Sequence, residues 1–134
     1  MIIRQLEEQG TTNEVVADTW RSRRLLLADD GMGFSVHDTI VRAGTSTQMW
    51  YRNHLEAVYC IEGHGHVLDL HTGDVHRIAP GTLYALDEHD KHVLHAEVDL
   101  RVVCVFNPPL LGPETHDEEG AYPLLTVDAG EAAK

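Results

Sequence analysis

An all-β domain, built from antiparallel strands as a sandwich or a barrel, is the fold class that the sequence predicts. Most of the chain consists of short runs rich in apolar residues, and turn residues separate one run from the next. Several runs alternate apolar with polar residues, which is typical of a strand with one buried face. The runs, in chain order, are SRRLLL (22–27), FSVHDTIV (34–41), EAVYCIE (56–62), HVLDLH (66–71), VHRI (75–78), TLYALD (82–87), HVLHAEV (92–98) and LRVVCVF (100–106).

The segments around these runs predict where the strands end. Gly adopts positive φ without strain and Asp accepts hydrogen bonds from nearby backbone N–H groups, so both favour turns. The connections are ADDGMG, RAGTST, GHG, TGD, APG and EHDK. Residues 13–20 (NEVVADTW) are expected to form a short helix or an irregular lead-in. The Pro- and Gly-containing segment after Phe106 predicts an irregular lid over one end of the barrel. We expect a single domain over residues 1–125 and a disordered tail over 126–134.

The charge of the chain excludes several classes of partner. Its 134 residues include 10 Lys and Arg but 22 Asp and Glu, a formal net charge of −12. Nucleic acids and anionic membranes require a basic surface, so neither is expected as a partner. MIIRQLEEQG at the start has no long apolar stretch, and no run approaches the length of a membrane span. Cys60 and Cys104 lie in apolar runs, which predicts buried, reduced thiols and a cytoplasmic location.

Several predicted strands place polar side chains on the face that should be buried. In NHLEAVYCIEG (53–63), His54 and Glu56 share a face with Val58 and Cys60, because side chains alternate along a strand. A purely structural core has no need of a carboxylate there. The other mixed faces carry Ser35, His37, Thr39 and Val41; Thr82, Tyr84 and Leu86; His92 and Leu94; and Cys104 and Phe106. The sequence therefore predicts a small barrel whose lumen binds a ligand.

The spacing around Glu56 resembles the two-part signature of the cupin superfamily, in which a jelly-roll barrel holds a metal ion with histidines and a glutamate. Glu56 takes the glutamate position, but the His-x-His positions fall within 49–52, which contain no histidine. The later pattern G-x6-PG-x2 ends at Tyr84, where cupins have a further histidine, and His92 follows. Two oxygen donors and one imidazole suit a divalent ion, with Fe(II) expected and Mn(II) or Zn(II) as alternatives.

Longer segments resemble the ectoine synthase family over nearly the whole chain, as far as Leu125. These segments are SRRLLL, DDGMGFSVHDT, WYRNHLEAVYCIEG, PGTLYALDEHDKH, CVFNPP and ETHDEEGAYP. The resemblance implies a cytoplasmic cupin homodimer that makes a compatible solute under osmotic stress. It implies a hydro-lyase, a carbon–oxygen lyase that cyclises N-γ-acetyl-L-2,4-diaminobutyrate to ectoine with loss of water. It also implies that Glu56, Tyr84 and His92 bind the metal ion.

The same resemblance implies the residues that contact the substrate. These are Trp20, Arg24, Thr39, Tyr51, Cys104, Phe106 and Glu114, to which the strand faces add His37 and His54. Glu114, Tyr51 and Cys104 are expected to be catalytic. Glu114 is the first candidate for the base that takes a proton from the substrate amine, and the neighbourhood of His92 is the second. Arg24 would bind the substrate carboxylate bidentately. Trp20 and Phe106 would wall the pocket against the aliphatic chain.

Each of these residues also has a simpler interpretation. Glu56 could form a salt bridge, Tyr84 could be an ordinary core tyrosine and His92 could be structural. No activating base is apparent near Cys104, so a thiol in the pocket wall is favoured over a nucleophile. The pair His64 and His66, which flanks Gly65, is interpreted as part of a solvent-exposed hairpin rather than a metal site.

Two other functions remain open from the sequence. One is a non-catalytic cupin that binds or senses a small solute. The other is a cupin oxygenase, which is disfavoured because the chain lacks the His-x-His pair.

Overall fold

The computed structural model describes residues 1–9 and 13–124, and it confirms the all-β class. A short helix, α1 (Leu6–Gln9), precedes the strands. The strands are β1 (Glu14–Val16), β2 (Trp20–Leu26), β3 (Ser35–Val41), β4 (Ser46–Met49), β5 (Leu55–Glu62), β6 (Gly65–Asp69), β7 (Val75–Ile78), β8 (Leu83–Leu86), β9 (His92–Ala96) and β10 (Leu100–Asn107). In the described part of the chain, no helix has the length and hydrophobicity to cross a membrane. The predicted tail at 126–134 lies outside the described residues.

The strands form two antiparallel sheets that enclose the core. One sheet has the order β1-β2-β3-β10-β5-β8, and the other has the order β4-β9-β6-β7. From β3 onward the chain passes repeatedly from one sheet to the other, which is the topology of a jelly roll. Strand β10 buries one face, and its four side chains, Leu100, Val102, Cys104 and Phe106, are each at most 6% exposed. A fully buried side chain of this kind contributes about 1.5–3 kcal/mol, so the alternation of β10 is a large part of the core energy.

An ion-pair network ties four strands together on the outer face of the larger sheet. Asp38 on β3 pairs with Arg23 on β2, and its Oδ2 lies 2.9 Å from Nη2 of Arg101 on β10. Arg101 also approaches Glu62 on β5 at 3.4 Å. Burial alone would raise the pKa of Asp38, but the two guanidinium groups outweigh burial and hold that pKa below its usual value. The network therefore favours an ionised Asp38 in the folded state.

The structure differs from the sequence-based expectations in two strands. Residues 13–20 contain no helix but the strand β1, which pairs with β2 so that Val15 lies opposite Ser22. The short N-terminal helix is present earlier, at α1. Strand β4 was not predicted, because the sequence STQM has one apolar residue and part of it was assigned to a turn. Pairing with β9, with Met49 opposite His92, makes it a strand, so tertiary context overrides the weak local preference.

The residues after β10, 108–124, form the lid segment, which is irregular as predicted and packs onto the barrel. Leu110 and Ala121 are fully buried. Gly120, at φ 76°, lies so close to β4 that a Cβ atom there would be 2.3 Å from the Gln48 carbonyl oxygen. The N–H of Trp50 donates a hydrogen bond of 3.1 Å to the Gly120 carbonyl. This close backbone contact fixes the lid segment against the barrel.

Candidate active site

A narrow lumen of about 40 Å³ lies between the two sheets. It has room for about three water molecules at roughly 10–15 Å³ each. Predicted site residues in its wall are Trp20, His37, Thr39, Tyr51, Glu56, Tyr84, Cys104 and Phe106. The lid segment adds His116 and Tyr122, and most of the remaining wall is apolar.

The register of the strands explains why these residues meet. Strand β10 pairs with β5, so that Cys104 lies opposite Val58 and Phe106 lies opposite Glu56. Strand β8 pairs with the other edge of β5, so that Tyr84 lies opposite Val58. Directly opposite residues project to the same face of a sheet. Alternation within each strand, which the sequence shows, selects the residues that face inward. The pairing register then brings inward-facing residues from distant parts of the chain to one lumen.

Glu56 is a buried carboxyl, 6% exposed, that has no ion-pair partner among the described residues. Burial raises its pKa to about 8, although a hydrogen bond from the Cys104 thiol acts in the opposite direction. Burial also raises the pKa of Cys104 well above its usual value, which disfavours the thiolate. This favours the interpretation of Cys104 as a thiol in the wall of the lumen.

His92 has the arrangement expected of a metal-binding histidine. Its Nδ1 lies 2.8 Å from the Asp90 carbonyl oxygen and donates a hydrogen bond to it. Its Nε2 is buried and has no hydrogen-bond partner. Burial lowers the pKa of His92, so the neutral imidazole keeps a lone pair on Nε2. In metal sites, a backbone carbonyl commonly fixes one ring nitrogen of a histidine while the other nitrogen binds the metal ion.

Tyr84 completes the predicted ligand set. Its ring lies 6.4 Å from the ring of His92, centroid to centroid, and burial raises the pKa of its hydroxyl well above the usual value. Among the described residues, no group of three or more His, Cys, Asp or Glu side chains is arranged to hold a metal ion. The predicted set contains two such side chains, Glu56 and His92, and a phenol supplies its third donor.

His116 and Tyr122 are lumen residues that the sequence-based prediction missed. The hydroxyl of Tyr51 lies 2.7 Å from Nε2 of His116, and the ring of Tyr51 stacks on Tyr122 at 5.2 Å. Burial, with the nearby charge of Arg24, lowers the pKa of His116 to about 4. Both residues lie in an irregular segment without a strand period, so no pattern assigned them to the lumen. Their only signal was a histidine and an aromatic residue within the polar stretch ETHDEEGAYP.

Arg24 is fully buried and does not line the lumen itself. Its guanidinium donates hydrogen bonds to the Gly112 carbonyl at 2.7 Å, to Ser22 Oγ at 3.2 Å and to the Tyr122 hydroxyl at 3.5 Å. These partners are neutral, and no described carboxylate forms an ion pair with Arg24. Its positive charge contributes, after burial, to the lowered pKa of His37. The charge is therefore felt at the lumen although the side chain lies behind its wall.

Glu114 and His54 are buried together outside the lumen. The carboxylate of Glu114 accepts hydrogen bonds of 2.8 Å from the N–H groups of Leu111 and Gly112, within the lid segment. Burial lowers the pKa of His54, and the charge of Glu114 opposes that shift. Nδ1 of His54 is buried without a hydrogen-bond partner. Of the twelve predicted site residues, Arg24, His54, His92 and Glu114 thus lie next to the lumen rather than in its wall.

The side chains of His64 and His66 reach the surface, as predicted, although both residues are only partly exposed. Their side chains are 41% and 39% exposed, and Nδ1 of His64 lies 2.8 Å from a carboxylate oxygen of Glu97. The predicted hairpin was wrong, because Gly63 and His64 connect β5 of one sheet to β6 of the other and these two strands do not pair. Neither histidine lines the lumen.

The fold and its lumen define the class of the protein as a cupin. The cupin domain of an XRE family transcriptional regulator from Enterobacter cloacae superposes with a TM-score of 0.57 at 14% identity, covering 69% of this chain and 99% of that chain. A likeness at that identity concerns the fold alone.

The sequence comparisons narrow this class to one family. The crystal structure of ectoine synthase from P. lautus superposes with a TM-score of 0.84 at 57% identity, covering 94% of this chain and 91% of that chain. The L-ectoine synthase of Halalkalibacterium halodurans is 62% identical over 116 residues, which are 87% of this chain and 90% of that relative. The family model for ectoine synthase matches residues 1–126. The chain belongs to the ectoine synthase family, so the prediction of a hydro-lyase is confirmed.

Proposed function

We propose that this chain forms ectoine from N-γ-acetyl-L-2,4-diaminobutyrate by metal-assisted cyclisation with loss of water. Family membership supports the substrate and product. The observation that carries the proposal is a set of donors around Tyr84, which lines the lumen with Glu56 and whose ring lies 6.4 Å from that of His92. It consists of the buried carboxyl of Glu56, the phenol of Tyr84 and the free Nε2 of His92.

These three donors fit a divalent metal ion, with Fe(II) proposed and Mn(II) or Zn(II) as alternatives. A cation there would compensate the buried carboxylate of Glu56 and use the lone pair of His92 that has no other partner. Bound at this position, the metal ion would act as a Lewis acid toward the amide carbonyl of the substrate.

The surrounding residues would hold the substrate in a folded shape. Arg24 is a buried guanidinium with neutral partners, so a substrate carboxylate would supply the negative charge that it lacks. Trp20 and Phe106 would pack against the aliphatic chain. Holding the amine near the carbonyl replaces a random encounter with an oriented intramolecular reaction, which contributes up to about 7–11 kcal/mol in well-oriented systems.

The chain must also take protons from the substrate. The α-amine nitrogen forms a bond to the acetamide carbonyl carbon, and the carbonyl oxygen leaves as water with two protons that come from nitrogen. We propose His116, hydrogen-bonded to Tyr51, as the group that accepts a proton. A pKa near 4 means that His116 is neutral before the reaction and, once protonated, would pass the proton on readily to the leaving hydroxyl. Glu114 is the alternative base, and its two backbone hydrogen bonds also support a role in shaping the lid segment.

Substrate binding requires the lid segment to move. Ligand pockets usually have about 300–1,000 Å³, far more than the present 40 Å³ of the lumen. The lid segment contributes His116 and Tyr122 to the wall, so its displacement would enlarge the lumen. Ion pairs at the surface, such as Arg52 with Glu119 at 3.2 Å, are weak enough to allow this.

We also propose that the protein is a cytoplasmic homodimer that acts under osmotic stress. Exposed apolar residues that a partner could cover include Ile2, Ile3 and Tyr59, at 46%, 74% and 45% exposure. Size-exclusion chromatography with light scattering would measure the mass directly, and a monomer at micromolar concentration would contradict the homodimer.

The decisive experiment is a product assay. The protein is purified anaerobically, loaded with Fe(II) and given N-γ-acetyl-L-2,4-diaminobutyrate, and ectoine is measured by chromatography beside a chelator-treated control. Ectoine formed only with the metal ion would support the proposal. If folded, metal-loaded protein bound the substrate and released it unchanged, the alternative of a non-catalytic solute-binding cupin would replace it.

A further inference from the structure

A row of polar side chains crosses the outer face of the smaller sheet, on the side away from the lumen. His95 on β9 lies directly opposite Ser46 on β4 and directly opposite His66 on β6. Directly opposite residues project to the same face of a sheet. The neighbours of His95 along β9 are buried, so its own side chain points outward. The pairing of three strands therefore places two histidines side by side at the surface, and neither lines the lumen.

The imidazole rings of His66 and His95 are spaced as they would be around one ion. Their centroids are 4.9 Å apart, and their planes are inclined by 32°. Two imidazoles on one tetrahedral ion, with metal–nitrogen bonds of about 2.0–2.1 Å, have their ring centres about 5 Å apart. The side chain of His66 is 39% exposed, so its ring can rotate about χ2 without displacing a packed neighbour. An ion shared by the two rings therefore requires no movement of β6 or β9.

Each ring has a polar neighbour at Nδ1 and a free nitrogen at Nε2. Nδ1 of His95 lies 2.8 Å from Ser46 Oγ, and Nδ1 of His66 lies 3.9 Å from a carboxylate oxygen of Glu97. In the described part of the chain, Nε2 of neither ring has a hydrogen-bond partner. A partner at one ring nitrogen commonly orients a histidine whose other nitrogen binds a metal ion. The tautomer in which Nδ1–H donates to Ser46 Oγ leaves the lone pair of His95 on Nε2.

Glu97 supplies negative charge beside these histidines. Its two carboxylate oxygens lie 2.8 Å from Nδ1 of His64 and 3.9 Å from Nδ1 of His66. Arg77 on β7 lies directly opposite His66 on the other side, and its charge would repel a cation. The carboxylate of Glu97 offsets that repulsion, and the formal net charge of −12 attracts cations to the molecule as a whole.

We propose that His66 and His95 form a metal site on the protein surface, separate from the proposed site beside the lumen. Its ligand is a borderline divalent ion, Zn(II), Cu(II) or Ni(II), bound by both Nε2 atoms and by water, with Glu97 orienting His66. Two protein ligands agree with the absence of any group of three among the described residues. Imidazoles bind Fe(II) more weakly than these ions, so the iron content of the protein still measures the proposed site beside the lumen. The surface site does not depend on the proposed function.

The test uses an immobilised ion. Untagged protein is applied to a resin that carries chelated Zn(II), and the concentration of imidazole needed for elution measures its affinity. An ion fixed to a resin reaches surface groups but not the lumen, so the proposed lumen site does not contribute. The variants are His66→Ala, His95→Ala and the double variant. The matched control is His71→Ala, which removes an exposed histidine from the turn between β6 and β7.

We expect either single substitution to weaken binding to the immobilised ion by about 100-fold, the low end of the gain from joining two ligands. The double variant should lose little more, because one histidine alone no longer chelates the ion. His71→Ala should elute like the wild type. Wild-type elution of either single variant, or an equal loss in His71→Ala, would overturn the site. Additive losses in the double variant would also overturn it, because they would show two independent contacts.

A titration of free Zn(II) into isotope-labelled protein, followed by NMR of the histidine ring nitrogens, identifies the ligand atoms. The Nε2 signals of His66 and His95 should shift over the same range of Zn(II) concentration. A shift confined to one of the two rings would overturn the shared site. A product assay without ectoine would, by contrast, remove the proposed function and leave these results unchanged.

Discussion

Glu56 and His92 are polar groups that the fold buries with incomplete partners: among the described residues, Glu56 has the Cys104 thiol but no ion pair. Burial raises the pKa of Glu56 to about 8, and Nε2 of His92 has no hydrogen-bond partner. Groups of this kind are costly for a purely structural core, because a buried donor or acceptor without a partner costs about 1–3 kcal/mol. A cation bound by Glu56, Tyr84 and His92, as proposed, would offset this cost.

At this scale, Glu56→Ala should abolish metal binding and activity while the fold is kept. Loss of a residue that only hydrogen-bonds to a metal ligand weakens metal affinity by up to about 100-fold. Removing a direct ligand should weaken it by more than that. Atomic absorption measures the metal content, and circular dichroism checks that the fold is kept. The control is Glu62→Ala, which removes a carboxylate from the same strand at a side chain that is 67% exposed. An unchanged metal content in Glu56→Ala would contradict the assignment of this ligand.

Among the elements, the N-terminal segment is anchored by one ion pair. Arg4 Nη1 and Nη2 each lie 2.7 Å from a carboxylate oxygen of Asp30, which also accepts a hydrogen bond of 2.8 Å from the Leu27 N–H. The hydrogen bond from Arg4 lowers the pKa of Asp30 to about 2 from 3.8. Because the folded-state pKa is depressed, the pair stabilises the protein above about pH 4 and loses its effect as the pH falls towards 2.

Asp30→Asn should therefore lower the free energy of unfolding by about 0.5–1 kcal/mol at neutral pH, a value reduced by solvent exposure of the pair. The difference from the wild type should shrink as the pH falls from 4 towards 2, where both chains carry a neutral group at this position. Urea unfolding at a series of pH values measures it. The control is Asp29→Asn, which removes an exposed carboxylate from the same turn and leaves the Arg4–Asp30 pair intact. A constant difference across that pH range would rule out the ion pair as its cause.

The lid segment is the second element, and its closest backbone approach to the barrel is at Gly120. Gly120 has φ 76°, and its backbone lies against Gln48. Gly120→Ala should destabilise the docked lid segment by about 1–3 kcal/mol, because the added Cβ atom overpacks a backbone contact. Limited proteolysis within 108–124 should become faster.

The control for this prediction is Gly44→Ala. Gly44 has the same φ of 76°, but a Cβ atom there would meet nothing within 4 Å. It therefore carries the cost of the left-handed conformation, about 1–2 kcal/mol, without the steric contact. Equal proteolysis of the lid segment in the two variants would show that the close approach of Gly120 does not hold the lid.

For the whole molecule, the proposed metal ion should act as a stabilising ligand. It would bind the folded state through residues from β5, β8 and β9, which belong to both sheets. At a free metal concentration 100 times the dissociation constant, stability should rise by about 2.7 kcal/mol. Differential scanning calorimetry with and without Fe(II) under anaerobic conditions measures the shift in Tm. Glu56→Ala should show no shift, and an equal shift in that variant would place the ion elsewhere.

The sequence by itself determined the class of fold, most of the strands and many of the residues that line the lumen. Alternation of apolar and polar residues is a local property, so it assigned His37, Thr39, Glu56 and Cys104 to the buried faces of their strands. The long matched segments further indicated the ectoine synthase family, which the comparisons confirm. Local pattern failed at β4, because four mostly polar residues become a strand only when β9 supplies a partner.

Only the tertiary structure decided which residues share a cavity. Strand register placed Glu56 opposite Phe106 and Tyr84 opposite Val58, and no local pattern fixes register between strands so distant in sequence. The irregular lid segment has no period, so the positions of His116 and Tyr122 depended on its docking against β4. Arg24, His54 and Glu114 are likewise buried beside the lumen only because separate segments pack together. The sequence of any one segment does not determine such contacts.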